Sequence, residues 1–163
     1  MASKRLGKLA FAQGSQPYVV PFYFAYHHNY LYSFSTVGQK IEWMRANPLV
    51  CVEVDEVVSP QDWMSVIVSG RYEELPDTPE WTIERAAALS LLRRHAMWWE
   101  PAYAKTAIHG RVCSLEPVFY RVHIDEITGR RATRELSPHQ RLSATSSQGW
   151  LQGILRRLHG EIE

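Results

Sequence analysis

The segment Pro17-Tyr18-Val19-Val20-Pro21-Phe22-Tyr23-Phe24-Ala25-Tyr26 constrains the fold most. It is apolar on both faces, so a strand built from it is covered twice, by a barrel interior and by a second layer or subunit. Pro21 has no N–H to give a ladder, which places it at a sheet edge or at a break in pairing. Backbone left unpaired beside such a proline offers hydrogen-bonding groups to a flat polar ligand. His27-His28-Asn29 then reads as a hairpin turn into Leu31–Ser35.

The neighbouring segments follow the same style. Residues 5–12 form a strand closed by Gln13-Gly14-Ser15-Gln16. Leu49–Val58 alternates, with Val50, Val52 and Val54 on one face and Cys51, Glu53 and Asp55 on the other. Trp63–Leu75 is a long strand with Gly70 as a bulge or bend. A further strand covers Glu116–Ile127 and is turned off by Thr128-Gly129-Arg130. Hairpins in this order give a small antiparallel barrel with a helix crossing one end.

That helix begins after Ser35. Thr36 with Gln39 reads as a capping box, and Pro48 ends the helix after about three turns. Lys40 then stands in the first turn, where a cation opposes the helix dipole unless an anion such as phosphate sits there. An exposed surface lysine is the plainer alternative. A second helix opens at Thr78-Pro79, with Thr78 as N-cap and an apolar face of Ile83, Ala87, Ala88, Leu91 and Leu92. Trp98-Trp99 ends that region, either anchoring the helix or covering a ligand from a partner subunit.

Composition removes several function classes. The chain has 163 residues, 45% of them hydrophobic, and a formal net charge of +1. It is long enough for a core, and it has no global charge that would draw nucleic acid or an anionic membrane. Cys51 and Cys113 are its two cysteines and form no Cys-x-x-Cys pair, so a disulfide framework and a structural zinc site both lack ligands. With no signal-peptide core and no run of transmembrane length, a cytoplasmic location is expected. No Ser-His-Asp set, Cys-His set or P-loop stands out. Ser137 begins a change of character, and Trp150–Leu158 reads as an amphipathic helix. The expected division is a barrel domain over 1–136 and a C-terminal extension over 137–163.

Taken together, Pro17–Pro21, Leu31–Ser35, Gly38-Gln39-Lys40, Arg45-Ala46-Asn47-Pro48, Val52-Glu53-Val54 and Trp63–Arg71 resemble the pyridoxamine 5′-phosphate oxidase-like superfamily. The nearer resemblance is to its flavin-nucleotide-binding branch, with nitroimidazole-reductase-type members. It covers residues 5–75 and the strand ending Asp125-Glu126-Ile127-Thr128-Gly129-Arg130. It implies an FMN-binding split β-barrel, mainly antiparallel β with crossing helices, assembled as a homodimer with FMN at the subunit interface. By this resemblance Val20, Pro21 and Phe22 lie along the isoalloxazine ring, while Phe34 and Ser35 sit at the strand end near the ribityl phosphate; Ser35 and Thr36 are helix-cap residues at the same place, where capping and phosphate binding coexist. Gln39 and Lys40 fall on the phosphate-binding pair, with Gln39 where a cation is common. Ser65 matches a polar flavin contact, and Trp99 is the candidate cover. The implied activity is flavin redox chemistry on a small electrophile, a nitro compound or quinone, with NAD(P)H as the possible reductant. Non-catalytic binding of flavin or haem, and a deazaflavin-dependent reductase, are the alternatives.

Overall fold

The structure is a computed structural model that describes residues 6–93, 106–108, 111–113 and 117–132. Its elements run β1 (Leu6–Gln13), β2 (Gln16–Tyr23), β3 (Ala25–His27), β4 (Tyr30–Thr36), α1 (Gln39–Ala46), β5 (Leu49–Ser59) and β6 (Asp62–Glu74). A 3₁₀ turn (Pro79–Trp81), α2 (Thr82–Arg93), the short strands β7 (Thr106–Ile108) and β8 (Arg111–Cys113), and β9 (Pro117–Ala132) complete it.

Seven strands form one antiparallel sheet in the order β2-β1-β5-β6-β9-β4-β3. Its two edges, β2 and β3, are consecutive in sequence and separated by Phe24 alone. The apolar segment expected as one strand is thus broken into two that serve opposite edges, and the chain through Phe24 draws the sheet round into a barrel. The break frees the Tyr23 carbonyl, and the buried Ser33 hydroxyl donates to it at 2.7 Å. Pro21 stands on edge strand β2, as its missing N–H requires.

Alternation fills two cores. Leu9, Phe22, Phe24, Leu31, Val52, Val54, Val66, Val68, Tyr120 and Val122 line the barrel interior, and Ile41 and Met44 of α1 close one end. The opposite faces of β3, β4 and β9 supply Ala25, Tyr32 and Phe119 to a second core, capped by Leu75 and by Ala88, Leu91 and Leu92 of α2. This double cover holds for residues 24–26, whereas Tyr18, Val19 and Pro21 on β2 are exposed.

Several local expectations are corrected. The capping box fails: Thr36 is still paired with Pro117 in the sheet, and Gly38 is the N-cap with no side-chain cap. The helix has eight residues, just over two turns, and Asn47 is extended ahead of Pro48 as that proline demands. Thr78 precedes a 3₁₀ turn and makes no capping hydrogen bond, and on α2 Ile83 and Ala87 face outward. β9 does not stop at Thr128-Gly129-Arg130, because Ile67, Val66 and Ser65 of β6 pair with those three residues in turn. Gly70 is a bulge site as expected: Ser69 opposes Glu126 while Gly70 opposes Ile124, leaving Asp125 as the extra residue. Trp98-Trp99 and the helix expected over Trp150–Leu158 lie outside the described residues.

Candidate functional site

Sequence order brings the end of β4, the N-terminus of α1 and the start of β9 together. Residues Phe34–Thr36 pair with Pro117–Phe119, and only Val37 and Gly38 separate Thr36 from the start of α1. The first intrahelical bond runs from the Glu42 N–H to the Gly38 carbonyl. With Gly38 as N-cap and no side chain capping the turn, the backbone N–H groups of the first turn are left for a ligand or water.

Lys40 lies in that turn and is not the exposed lysine of the plainer reading. Its side chain is largely buried, with Nζ 5.9 Å from the centre of the Tyr120 ring. Burial pushes its amine down to about 8. Among the described residues no carboxylate pairs with it. Glu74, opposite Tyr120 on β6, is held by Arg45 through two bonds of 2.7 Å and by the Tyr72 hydroxyl at 3.0 Å. Arg45 in turn keeps the Glu74 carboxyl below its usual range. Tyr120 is clamped from behind by Tyr72 at 5.3 Å and by Phe22 at 6.3 Å between ring centres. The result is a desolvated cation on an aromatic floor beside a free helix N-terminus, an arrangement that favours an anion.

The other expected site residues are distributed as follows. Ser35 is buried and paired with Val118, Thr36 is half-buried, and Gln39 is exposed beside Lys40. The Phe34 ring packs on Phe119 at 5.8 Å, on the side of the second core. Val20 is half-buried on β2 and Pro21 exposed, while the Phe22 ring is inside the barrel, leaving its backbone as the part a ligand could meet. Ser65 is not brought to Lys40 within one chain. It pairs with Asp55 and Arg130 and donates to Glu53 at 3.4 Å, whereas Tyr120 pairs with Glu74, nine residues along β6. That separation is about 30 Å of strand. Trp99 lies outside the described residues. Sequence reading missed Tyr120, whose only signal was its place in an alternating strand.

Two other polar groups that the sequence draws attention to lie elsewhere in the sheet. Glu53 and Asp55 both hold Lys8, at 2.8 and 2.7 Å, on the outer face of the sheet. His27 and His28 belong to the β3–β4 hairpin, with His28 at φ 53°. No group of three or more His, Cys, Asp or Glu among the described residues is placed to hold a metal ion. No helix among them is long and apolar enough to cross a membrane.

The model of the pyridoxamine 5′-phosphate oxidase family matches residues 1–131. The chain belongs to this family. A curated relative from Rhizobium meliloti, an uncharacterized protein, is 43% identical over 132 residues, covering 81% of this chain and 87% of its own. Among solved structures, an FAD-binding protein from Mesorhizobium loti is 45% identical, covers 82% of this chain and 88% of its own, and has a TM-score of 0.64. A candidate 5-nitroimidazole antibiotic resistance protein from Bacteroides thetaiotaomicron is 22% identical, covering 78% of this chain and 77% of its own, with a TM-score of 0.56. An FAD-binding protein from Mycobacterium smegmatis is 21% identical over 82% of this chain and 90% of its own, with a TM-score of 0.58. The last two share the fold. The seven-stranded sheet with its crossing helix is the split barrel of the pyridoxamine 5′-phosphate oxidase family.

Proposed function

We propose that this chain binds a flavin nucleotide, FMN or the FMN half of FAD, with its phosphate at the N-terminus of α1, and uses it for redox chemistry. The observation that carries this reading is Lys40, a partly buried cation without a counter-ion among the described residues, next to uncapped helix N–H groups. A phosphate there neutralises the ammonium and accepts from the backbone at once. The relative from Mesorhizobium loti, at 45% identity, is an FAD-binding protein, which supports a flavin and keeps both nucleotides in view.

The flavin, when bound, supplies the hydride or electron transfer; the chain supplies place and environment. Lys40 and the N–H groups of Gln39 and Lys40 hold the phosphate, and Ser35 and Thr36 flank it. The backbone of edge strand β2 at Val20, Pro21 and Phe22 lies along the ring. Tyr120, clamped by Phe22 and Tyr72, keeps the Lys40 ammonium desolvated and so strengthens its hold. The substrate is a small electrophile of the nitro or quinone class and the reductant NAD(P)H.

The test is an absorption spectrum of the purified protein, repeated after incubation with excess FMN or FAD and desalting. Retention of one flavin per subunit, followed by NAD(P)H oxidation that depends on a nitro compound or quinone, is the expected result. Failure to retain either flavin overturns the reading.

The exposed apolar part of β2, with Tyr18 at 39% and Val19 at 59%, supports a homodimer in which this edge is covered by a second copy. Light scattering at micromolar concentration is expected to give the mass of two chains. The mass of one chain would contradict it.

A further inference from the structure

Both ends of α1 reach the β6–β9 ladder at one place. Lys40 in the first turn stands over Tyr120, and Arg45 in the last turn takes both carboxylate oxygens of Glu74, at 2.7 Å each. Glu74 lies directly opposite Tyr120 in that ladder. Such partners share a sheet face, with about 4.5–5.5 Å between Cβ atoms. The Tyr72 hydroxyl donates to Glu74 at 3.0 Å, and the Tyr72 ring packs on Tyr120 at 5.3 Å. Lys40, Tyr120, Glu74 and Arg45 therefore form a circuit that leaves α1 at one end and returns to it at the other.

As a tie between helix and sheet, the ion pair counts for little. The Arg45 side chain is 46% exposed, and exposed pairs add little to stability. The chain is also fastened here without it, since the Tyr72 N–H donates to the Pro48 carbonyl at 2.8 Å, just past the end of α1. What distinguishes the pair is where its charges lie. Arg45 donates from Nε and Nη2 in a two-pronged grip, the arrangement that best neutralises a carboxylate. Without Arg45, a carboxylate held by the Tyr72 hydroxyl would remain beside Tyr120. Lys40 is partly buried at that ring, and where water is scarce charges act on one another over several ångströms. The carboxylate would then draw the Lys40 ammonium and repel an arriving phosphate.

We propose that Arg45 is a positioning residue for the phosphate site: by holding both oxygens of Glu74, it keeps that carboxylate from competing with the phosphate for Lys40. The role rests on the flavin reading and deepens it, because the readiness of Lys40 then depends on the far end of its own helix. Arg45 acts through Glu74 alone.

The experiment is calorimetric titration of FMN and FAD into the flavin-free full chain at one salt concentration, with a thermal melt of each protein. The proteins are wild type, Arg45→Gln, Glu74→Gln and the double variant. Arg45→Gln is expected to bind flavin roughly fivefold or more weakly than wild type. Glu74→Gln is expected to bind at least as tightly as wild type, and the double variant to return to within about twofold of it. A pair that only holds the fold gives another pattern, because every variant lacks it: affinity and melting temperature then fall together in all of them. That pattern, or wild-type affinity in Arg45→Gln, would overturn the role and leave the flavin reading standing. Glu74→Gln and the double variant decide between the two even where Arg45→Gln does not fold. Binding of neither flavin to wild type would remove the flavin reading and the role of Arg45 with it.

Discussion

Replacing Lys40 with methionine is expected to weaken flavin binding by roughly tenfold or more and, at the same time, to raise the melting temperature of the flavin-free protein. The two effects share one cause. Lys40 is a charged group drawn out of water, resting against Tyr120 at 5.9 Å and lacking a carboxylate among the described residues. A buried charge without a partner is costly until a ligand supplies the opposite charge. Methionine keeps much of the volume and removes the charge, a change worth about 1–2 kcal/mol of stability in favourable cases. For a chain of this size that is a rise of roughly 2–8 °C. Thermal melts of both proteins with and without saturating flavin check it: flavin should stabilise wild type strongly and the variant little. Unchanged affinity would remove Lys40 from the site, and a lower melting point for the flavin-free variant would make it an ordinary packing lysine.

The same burial gives a pH dependence whose sign can be worked out. The Lys40 amine is at about 8 in the folded chain, against the ordinary 10.5. Between these values the unfolded chain binds more protons than the folded one, so stability from this group rises with pH across that window. Below about 8 the unfavourable contribution is fully present. Phosphate binding reverses the balance, because it favours the ammonium. Flavin affinity is therefore expected to fall as pH rises through about 8, with proton uptake on binding above that point, and Lys40→Met should flatten the profile. The polar groups beside Tyr120 add nothing to this profile: the Tyr72 phenol is pushed up by burial, and Glu74 is kept ionised by Arg45.

How far the sequence could show this depends on how local each cause is. Leu49–Val58 was legible because alternation is a property of the segment itself, and the structure buries Val50, Val52 and Val54 as that pattern requires. The Gly14 and His28 turns were legible for the same reason. The capping box at Thr36 was not, because Pro117, some eighty residues later, holds Thr36 in the sheet and moves the N-cap to Gly38. The turn expected at Thr128-Gly129-Arg130 fails similarly, with β6 supplying the ladder that overrides it. At the site, the spacing marked Lys40, but its meaning comes from Tyr120 and from Arg45's capture of Glu74, contacts that no local window contains. Ser65 was legible only as a polar residue on an apolar strand, because its bond to Glu53 is a cross-strand contact that periodicity does not contain.

Gly70→Ala should be the most damaging small substitution in the described sheet. Gly70 sits where β6 meets the bulge of β9, opposite Ile124, with Asp125 unpaired beside it. A Cβ at Gly70 would stand 2.2 Å from the His123 carbonyl oxygen and 2.9 Å from Cγ1 of Val122. The first is backbone and cannot swing aside. It is further fixed because the Asn29 amide donates to the Ile124 carbonyl at 2.8 Å while the Ile124 N–H donates to the Asn29 carbonyl at 3.0 Å. The methyl group can therefore be admitted only by parting β6 from β9 where β4 also joins, the junction that sets the barrel's curvature. A loss of about 3 kcal/mol is expected, at the upper end for overpacking, or a melting temperature lower by roughly 6–12 °C. Gly38→Ala is the control, since its backbone is extended and nothing lies within 4 Å of a Cβ there; its cost should stay under about 1 kcal/mol. Chemical denaturation of the two variants separates the cases. A Gly70→Ala protein as stable as Gly38→Ala would mean that the bulge yields, and that β6 and β9 are not the rigid frame on which Tyr120, and through it Lys40, is held.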